Sequence, residues 1–266
     1  MPVLVSFHAH PDDESIATGG VMRRASDEGH AVVLVVATRG EEGEVAEGFL
    51  AEDETLGSRR EQETLASAEV LGVKAVEWLG YRDSGMVDTP TTENPECFWQ
   101  ADVEEAAERL AAILRAYDCD VLTIYDANGN YGHPDHIQVH RVGVRAAELY
   151  GNADVFEATM NRDYIIRNMS QALRDAAGDN PGDLPDVDSP DFNLGVRESE
   201  ITTRVDVSRY VDAKRASMRA HASQIGEQSF FLAMPDEAFS MAFGQEWFIH
   251  HGVGPKSPDE WETSII

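Results

Sequence analysis

The sequence predicts an α/β fold: a three-layer, Rossmann-like domain on a mainly parallel sheet. Three observations carry that prediction. Apolar runs and amphipathic stretches alternate along the chain, the rhythm of consecutive βαβ units. The clearest strand-like runs, Ala31–Thr38 and Val121–Tyr125, are apolar almost throughout, as strands covered on both faces are. A chain of 266 residues, 42% hydrophobic and 26% charged, is large enough for one α/β core. The expected organisation is a single domain over 1–266. Its Rossmann-like core occupies 1–177, and a loop plus C-terminal elements in 178–266 complete the pocket.

Val3–Phe7 reads as the first strand and ends at His8-Ala9-His10-Pro11-Asp12-Asp13-Glu14. A helix is expected from there to about Gly29, with Ile16, Val21, Met22 and Ala25 as its apolar face and Gly29 closing it. Ala31–Thr38 is the second strand. Leu56–Leu71 is helical and stops at Gly72; Val76–Leu79 is a short strand; Asp102–Tyr117 is a second amphipathic helix. Val121–Tyr125 is a strand, Ile137–Leu149 a helix, Val155–Met160 a fifth strand and Arg162–Ala177 a helix. Gly178–Arg197 is rich in Asp, Pro and Gly and reads as a surface loop. Ile201–Val207 and Ser208–Gln224 are a further strand and helix.

A formal net charge of −28 argues against nucleic acid as a partner, because phosphate binding needs a basic surface. An anionic membrane is disfavoured for the same reason, and the longest apolar runs, such as Val32–Ala37, are far too short to cross a bilayer. No charged leader or cleavage site precedes the first strand, so cytoplasmic residence is expected. Cys97 and Cys119 lack metal-type spacing and read as two unrelated free thiols. Lysine occurs only at Lys74, Lys214 and Lys256. An Asp/Glu-rich, Lys-poor surface suits a high-salt cytoplasm, where screening suppresses self-repulsion; a high-GC genome gives a similar composition without salt adaptation. A melting temperature that rises between low and molar salt is expected from the first reading, and a flat one removes it.

In the first motif, a strand delivers His8, His10, Asp12, Asp13 and Glu14 to the mouth of the sheet, where ligands bind in such folds. Imidazole nitrogen and carboxylate oxygen both suit zinc. A His and an Asp three positions apart can converge on one ion across a turn that Pro11 stiffens. The adjacent aspartates do not easily face the same way, so one can ligate while the other acts as a general base. An Asp-Asp-Glu helix start also complements the helix dipole, and alone it would mean no more than that. His8 belongs to the strand and reads as a packed neighbour.

The second motif, Tyr131-Gly132-His133-Pro134-Asp135-His136, follows the Val121–Tyr125 strand and the turn Asp126-Ala127-Asn128-Gly129-Asn130. It repeats the layout of the first: strand, loop, imidazole and carboxylate, helix. Catalytic zinc takes three protein ligands and keeps one position open. One histidine of this segment completes the set and the other is free to act on substrate. His140, one turn beyond His136, reads as packing on its helix.

Together the two motifs closely resemble the GlcNAc-phosphatidylinositol de-N-acetylase (PIG-L or LmbE-like) family. Gly40-Glu41-Glu42-Gly43-Glu44, Asp83-Ser84-Gly85-Met86 and Tyr125-Asp126 add to the likeness, which is strongest over Val3–Leu149 and points to the mycothiol-pathway branch. The resemblance implies a zinc-dependent deacetylase acting on a small-molecule N-acylated amino sugar, with iron as the alternative ion. It implies that His10, Asp13 and His136 hold the metal and that Asp12 is the general base. It gives His133 the oxyanion or the departing amine, as a cation whose ring Asp135 orients, and sets Tyr131 near the acyl oxygen. Arg60 falls where those enzymes contact substrate, although a solvent-exposed helix Arg reads equally well. Asp83 is assigned a sugar hydroxyl, against a plain turn-forming role before Ser-Gly. A homo-oligomer remains open.

Three other functions compete. A mycothiol S-conjugate amidase, or an amide hydrolase on a non-sugar substrate, would use the same centre. Phosphate-ester hydrolysis usually recruits a second metal or clustered Lys and Arg, neither evident here. A non-catalytic binding module would not need the spare acid/base pair Asp12 and His133. Specificity is expected to lie in Glu41–Ser58, Met86–Gln100 and the C-terminal part. Trp99, Trp247 and Trp261 read as packing residues, and His221 and Gln224 as residues closing the pocket.

Overall fold

The computed structural model describes residues 1–168 and 193–266. In chain order the elements are β1 (Val3–His8), α1 (Asp13–Ala17), α2 (Gly19–Asp27), β2 (Ala31–Val36), α3 (Leu56–Leu71), β3 (Ala75–Trp78) and α4 (Val103–Ala116). There follow β4 (Val121–Tyr125), the single turn α5 (Gly129–Gly132), α6 (Pro134–Tyr150), β5 (Asp154–Thr159), β6 (Thr203–Asp206), α7 (Val211–Ala220), α8 (Asp236–Phe243) and β7 (Gln245–His250). The seven strands form one sheet in the order β3-β2-β1-β4-β5-β7-β6. The first five run parallel, while β7 lies antiparallel to both β5 and β6.

Period-two alternation sorts the strand residues into two covering layers. Val5, Phe7, Val33, Val35, Leu122 and Ile124 pack with Leu110, Leu114, Val139 and Val142 of α4 and α6. Leu4, Val32, Leu34 and Val36 face the other way, onto Val21, Met22 and Leu71 of α2 and α3 and onto Val205 and Phe248. Both faces are dry, so the strand runs read as continuous apolar stretches. Among the described residues, no helix is long and apolar enough to cross a membrane.

Three expectations change. The helix after the first motif is two helices, broken at Thr18. The break has a partner in space: Glu246, arriving on β7, accepts the free amides of Gly20 and Val21 at 2.8 Å each, and Lys214 pairs with it at 2.5 Å, both side chains buried. A carboxylate at a helix N-terminus replaces the bonds that a continuous helix would have made. Strand β7 and helix α8 were not predicted, because Gln245–His250 carries Glu246 in its interior and matches no simple pattern. The helix expected over Ser208–Gln224 is cut short, ending at Ala220 before a turn. Of the Arg162–Ala177 helix, residues 162–168 are helical, and the rest lies outside the described residues, as does most of the Gly178–Arg197 loop.

Candidate active site

The strand order reverses direction between β1 and β4, the switch point at which parallel sheets open a crevice at their carboxyl ends. The first motif leaves β1 and the second leaves β4, so residues over 120 positions apart face each other. The ring centroids of His10, His133 and His136 lie 4.7, 5.4 and 5.1 Å apart pairwise, and their ring nitrogens approach within 4.8 Å. Asp13 lies between two of them: its Oδ2 is 3.5 Å from His10 Nδ1 and 3.4 Å from His136 Nε2. His10 Nε2 points away from Asp13, to Asp135 Oδ2 at 3.1 Å and Asp83 Oδ1 at 3.3 Å.

His133 is the N-cap of α6, and its Nδ1 accepts the Asp135 main-chain N–H at 3.1 Å. A ring that accepts at Nδ1 carries its proton at Nε2 when neutral, so Nε2 is a donor. Burial lowers the His133 pKa to about 4, with His10 and His136 adding to the effect. Where a cation was expected, this arrangement favours a neutral ring that donates from Nε2. The partner expected for it changes too: the Asp135 carboxylate turns to His10 and to the N–H and Oγ of Ser84, and only its amide touches His133.

Asp12 adopts φ 95°, a left-handed conformation that costs an L-residue other than Gly on the order of 1 kcal/mol. That conformation separates its side chain from that of Asp13 and leaves it partly open to the cleft. Burial raises its pKa to about 6, against the opposing pull of Arg60 and with the support of Asp13. Asp13 moves the other way: burial disfavours its charge, but His136 and His10 outweigh burial and hold the pKa well below the ordinary range. Burial likewise disfavours charge on His10, yet Asp83, Asp13 and Asp135 raise its pKa well above the usual value.

The remaining expected residues fall around this centre. Tyr131, 44% exposed, sits on a turn whose hydroxyl is 3.5 Å from His136 Nε2. Gly129 enables that turn: at φ 62° its Cβ would lie 2.7 Å from His136 Cβ and from Ile137 N. Arg60 is buried, which overturns the solvent-exposed reading; it donates to the carbonyls of Gly40 (2.8 Å) and Pro11 (2.5 Å) and reaches Asp12 Oδ2 at 3.3 Å. Asp83 makes the turn bond to Gly85 N–H at 2.9 Å and accepts from Glu42 N–H at 3.1 Å, tying two loops together at the cleft. His8 is buried in β1, bonded to Tyr125 Oη at 2.7 Å and Thr18 Oγ1 at 2.8 Å. His140 meets the Tyr125 carbonyl. Trp247 and Trp261 pack on Ile201, and the Arg141 guanidinium covers Trp99.

Sequence reasoning missed Ser84, which holds Asp135, and Tyr125, whose ring stacks on His136 at 4.4 Å and whose hydroxyl bonds His8 Nδ1 at 2.7 Å. Both stood inside quoted motifs, but nothing local says which way they point.

The donor set fits a cation. Asp13 Oδ2 lies 3.5 Å from His10 Nδ1 and 3.4 Å from His136 Nε2, while nitrogens of His10, His133 and His136, and donor atoms of His10, Asp83 and Asp135, also group within 4.8 Å. A tetrahedral ion with ligands at about 2.0–2.1 Å needs edges of about 3.3–3.4 Å. Among the described residues His136 Nδ1 has no partner, so it can keep the ring proton while Nε2 ligates; Asp83 and Asp135 pair with His10 at 3.3 and 3.1 Å, and Arg60 with Asp12 at 3.3 Å.

Comparison with known proteins agrees. Residues 5–147 match the family model for GlcNAc-PI de-N-acetylase, PIG-L. The chain is 43% identical over 260 residues to a protein of Acidothermus cellulolyticus named 1D-myo-inositol 2-acetamido-2-deoxy-alpha-D-glucopyranoside deacetylase, covering 92% of this chain and 87% of that one. It is 38% identical over 280 residues to the protein of that name from Thermobifida fusca, covering 99% and 98%. Among solved structures, the N,N'-diacetylchitobiose deacetylase of Pyrococcus horikoshii has the same fold, with TM-score 0.57 and 24% identity over 90% of this chain and 75% of that one. With its two motifs at one switch point and these relatives spanning nearly its whole length, the chain belongs to the GlcNAc-PI de-N-acetylase (PIG-L) family.

Proposed function

We propose that this protein is a zinc-dependent deacetylase that hydrolyses the N-acetyl amide of a glucosaminyl inositol, the substrate class for which its relatives are named. The observation that carries the reading is the pair left over once a metal is held: Asp12 and His133 flank the cluster, one offering a carboxylate to the cleft and the other an N–H donor. His10, Asp13 and His136 would hold the ion. His133 is unsuited to that task, since its Nδ1 is taken by the Asp135 amide and its Nε2 bears the proton. Bound zinc would polarise the amide carbonyl and lower the pKa of water to about 7.

The other tasks fall to the chain. Asp12 takes the proton of the attacking water and, once protonated, passes it to the amine nitrogen as the C–N bond breaks, which restores the carboxylate. His133 Nε2–H donates to the developing oxyanion, and Tyr131 supports it from the exposed side of the cleft. Asp135 holds His10 through Nε2, which leaves Nδ1 on the Asp13 side, where it would ligate; such an outer carboxylate sets ligand tautomers. Arg60 and Asp83 shape the substrate-binding wall, Arg60 through Asp12 and the Gly40 loop. Residues 1–266 act as one catalytic unit.

Incubating the zinc-loaded protein with 1D-myo-inositol 2-acetamido-2-deoxy-α-D-glucopyranoside is expected to release acetate and free amine in equal amounts. Turnover of N-acylated thiol conjugates or non-sugar amides, with no amine released from this glycoside, would overturn the substrate assignment.

A further inference from the structure

Glu14 is fully buried beside the proposed base, and its contacts reach beyond the helix start it belongs to. Its Oε2 accepts the main-chain N–H of Asp12 at 3.0 Å. Its Oε1 takes His221 Nε2 at 2.6 Å and Ser67 Oγ at 2.5 Å. On the opposite side, Arg60 donates to the Pro11 carbonyl at 2.5 Å. The Pro11 carbonyl and the Asp12 N–H belong to one planar peptide unit. Side chains therefore grip that plane at both ends, and its rotation sets the φ of Asp12.

The grip draws on distant parts of the chain. Arg60, Glu63 and Ser67 form one stripe of α3, at spacings that share a helix face. Glu63 accepts from Ser223 N–H at 2.9 Å and Ser223 Oγ at 2.6 Å, which fixes the turn after α7 on the same stripe. His221 opens that turn: its carbonyl accepts from Gln224 N–H and Ile225 N–H, and its ring is buried against Glu14. This turn lies well beyond residues 5–147, the part matched by the family model.

We propose that Glu14 and His221 are positioning residues for Asp12: they hold the Pro11–Asp12 peptide in the orientation that keeps Asp12 left-handed and its carboxylate aimed at the substrate. Without the clamp, rotation of that peptide relieves the unfavourable backbone and swings the carboxylate away from the cleft. The C-terminal segment then contributes to turnover without touching substrate or metal. The inference rests on Asp12 being the base of the proposed reaction.

Two variants test it, His221→Leu and the milder Glu14→Gln, with His221→Gln as the conservative rescue because its amide can still donate to Glu14. Displacement of a catalytic group by about 1 Å can cost 10²-fold. His221→Leu is expected to lower kcat by roughly 10- to 100-fold, with KM within twofold and metal stoichiometry unchanged. Glu14→Gln is expected to lose less, and His221→Gln to recover most of the rate. If His221→Leu does not fold, Glu14→Gln alone decides, by the same split between kcat and KM. Wild-type kcat in a folded variant, or a loss that tracks metal content, overturns the proposal. A crystal structure of the variant gives an answer independent of substrate: Asp12 still near φ 95° means that the clamp is not what holds it. Absence of acetate release from the wild type would instead defeat the deacetylase reading and leave that structural test standing.

Discussion

Asp12→Asn is expected to lower kcat/KM by about 10²–10⁴-fold, the usual contribution of a positioned general base, while the metal stays bound at wild-type stoichiometry. Asn is the informative replacement because it tolerates the left-handed backbone that Asp12 occupies. Its N–H can still reach Glu14, and Arg60 still holds the Pro11 carbonyl. Only the proton-accepting charge is gone. Asp12→Ala removes the same charge but adds backbone strain, so it is expected to be at least as inactive and somewhat less stable. Turnover measured as amine release, beside metal content measured on the same sample, separates the outcomes. Wild-type-like turnover in Asp12→Asn refutes the base assignment, and loss of metal would make Asp12 a ligand.

The sequence and the structure agree where chemistry is local. Strands that are apolar on both faces announce a covered parallel sheet. Motifs placed straight after Val3–Phe7 and Val121–Tyr125 announce a site at its carboxyl end, and the two strands prove to be neighbours. Spacing alone could not reveal that adjacency, which depends on a reversal in strand order. It also could not say where Asp135 points: the residue follows His133 by two positions, yet its carboxylate crosses to His10 and Ser84, 125 and 51 positions away. Local pattern offers Glu14 no role of its own beyond the helix start; its partners Ser67 and His221 lie 53 and 207 positions along the chain. The same blindness hid the α1–α2 break, whose cause is a carboxylate arriving on β7 from position 246. Residue type near a strand end reports the chemistry available, while the long-range contact decides its use.

This division explains why the two aspartates of one dipeptide behave oppositely. Asp13 has helical geometry at the start of α1, between two imidazoles that favour its charge. Asp12 has a left-handed backbone, an amide gripped by Glu14 and a carboxylate whose charge burial disfavours. A ligand benefits from the first environment and a base from the second. Substitutions that exchange the two environments should therefore be as damaging as substitutions of the aspartates themselves.

His136→Ala is expected to empty the metal site, with an affinity loss exceeding the roughly 10- to 100-fold that removal of an outer partner costs. Asp135→Asn supplies the outer-partner comparison, because the Asp135 carboxylate meets His10 Nε2 at 3.1 Å, on the side of the ring away from Asp13. The informative contrast is with His133→Ala. Both imidazoles belong to the same cluster of ring nitrogens, so proximity alone does not choose between them. The helix geometry does: the amide of Asp135 occupies His133 Nδ1 and leaves its Nε2 protonated, whereas His136 presents Nε2 to Asp13 at 3.4 Å with its ring stacked on Tyr125. His133→Ala should therefore retain metal and lose turnover, while His136→Ala should lose both, and zinc titration of chelator-stripped protein should show weakened binding only in the second. A thermal melt on each variant separates a lost ligand from a lost fold, since His136 is buried and its removal also leaves a cavity. Full metal retention in a folded His136→Ala variant, or the reverse pattern between the two histidines, would transfer the ligand role to His133 and remove the donor on which the proposed chemistry depends.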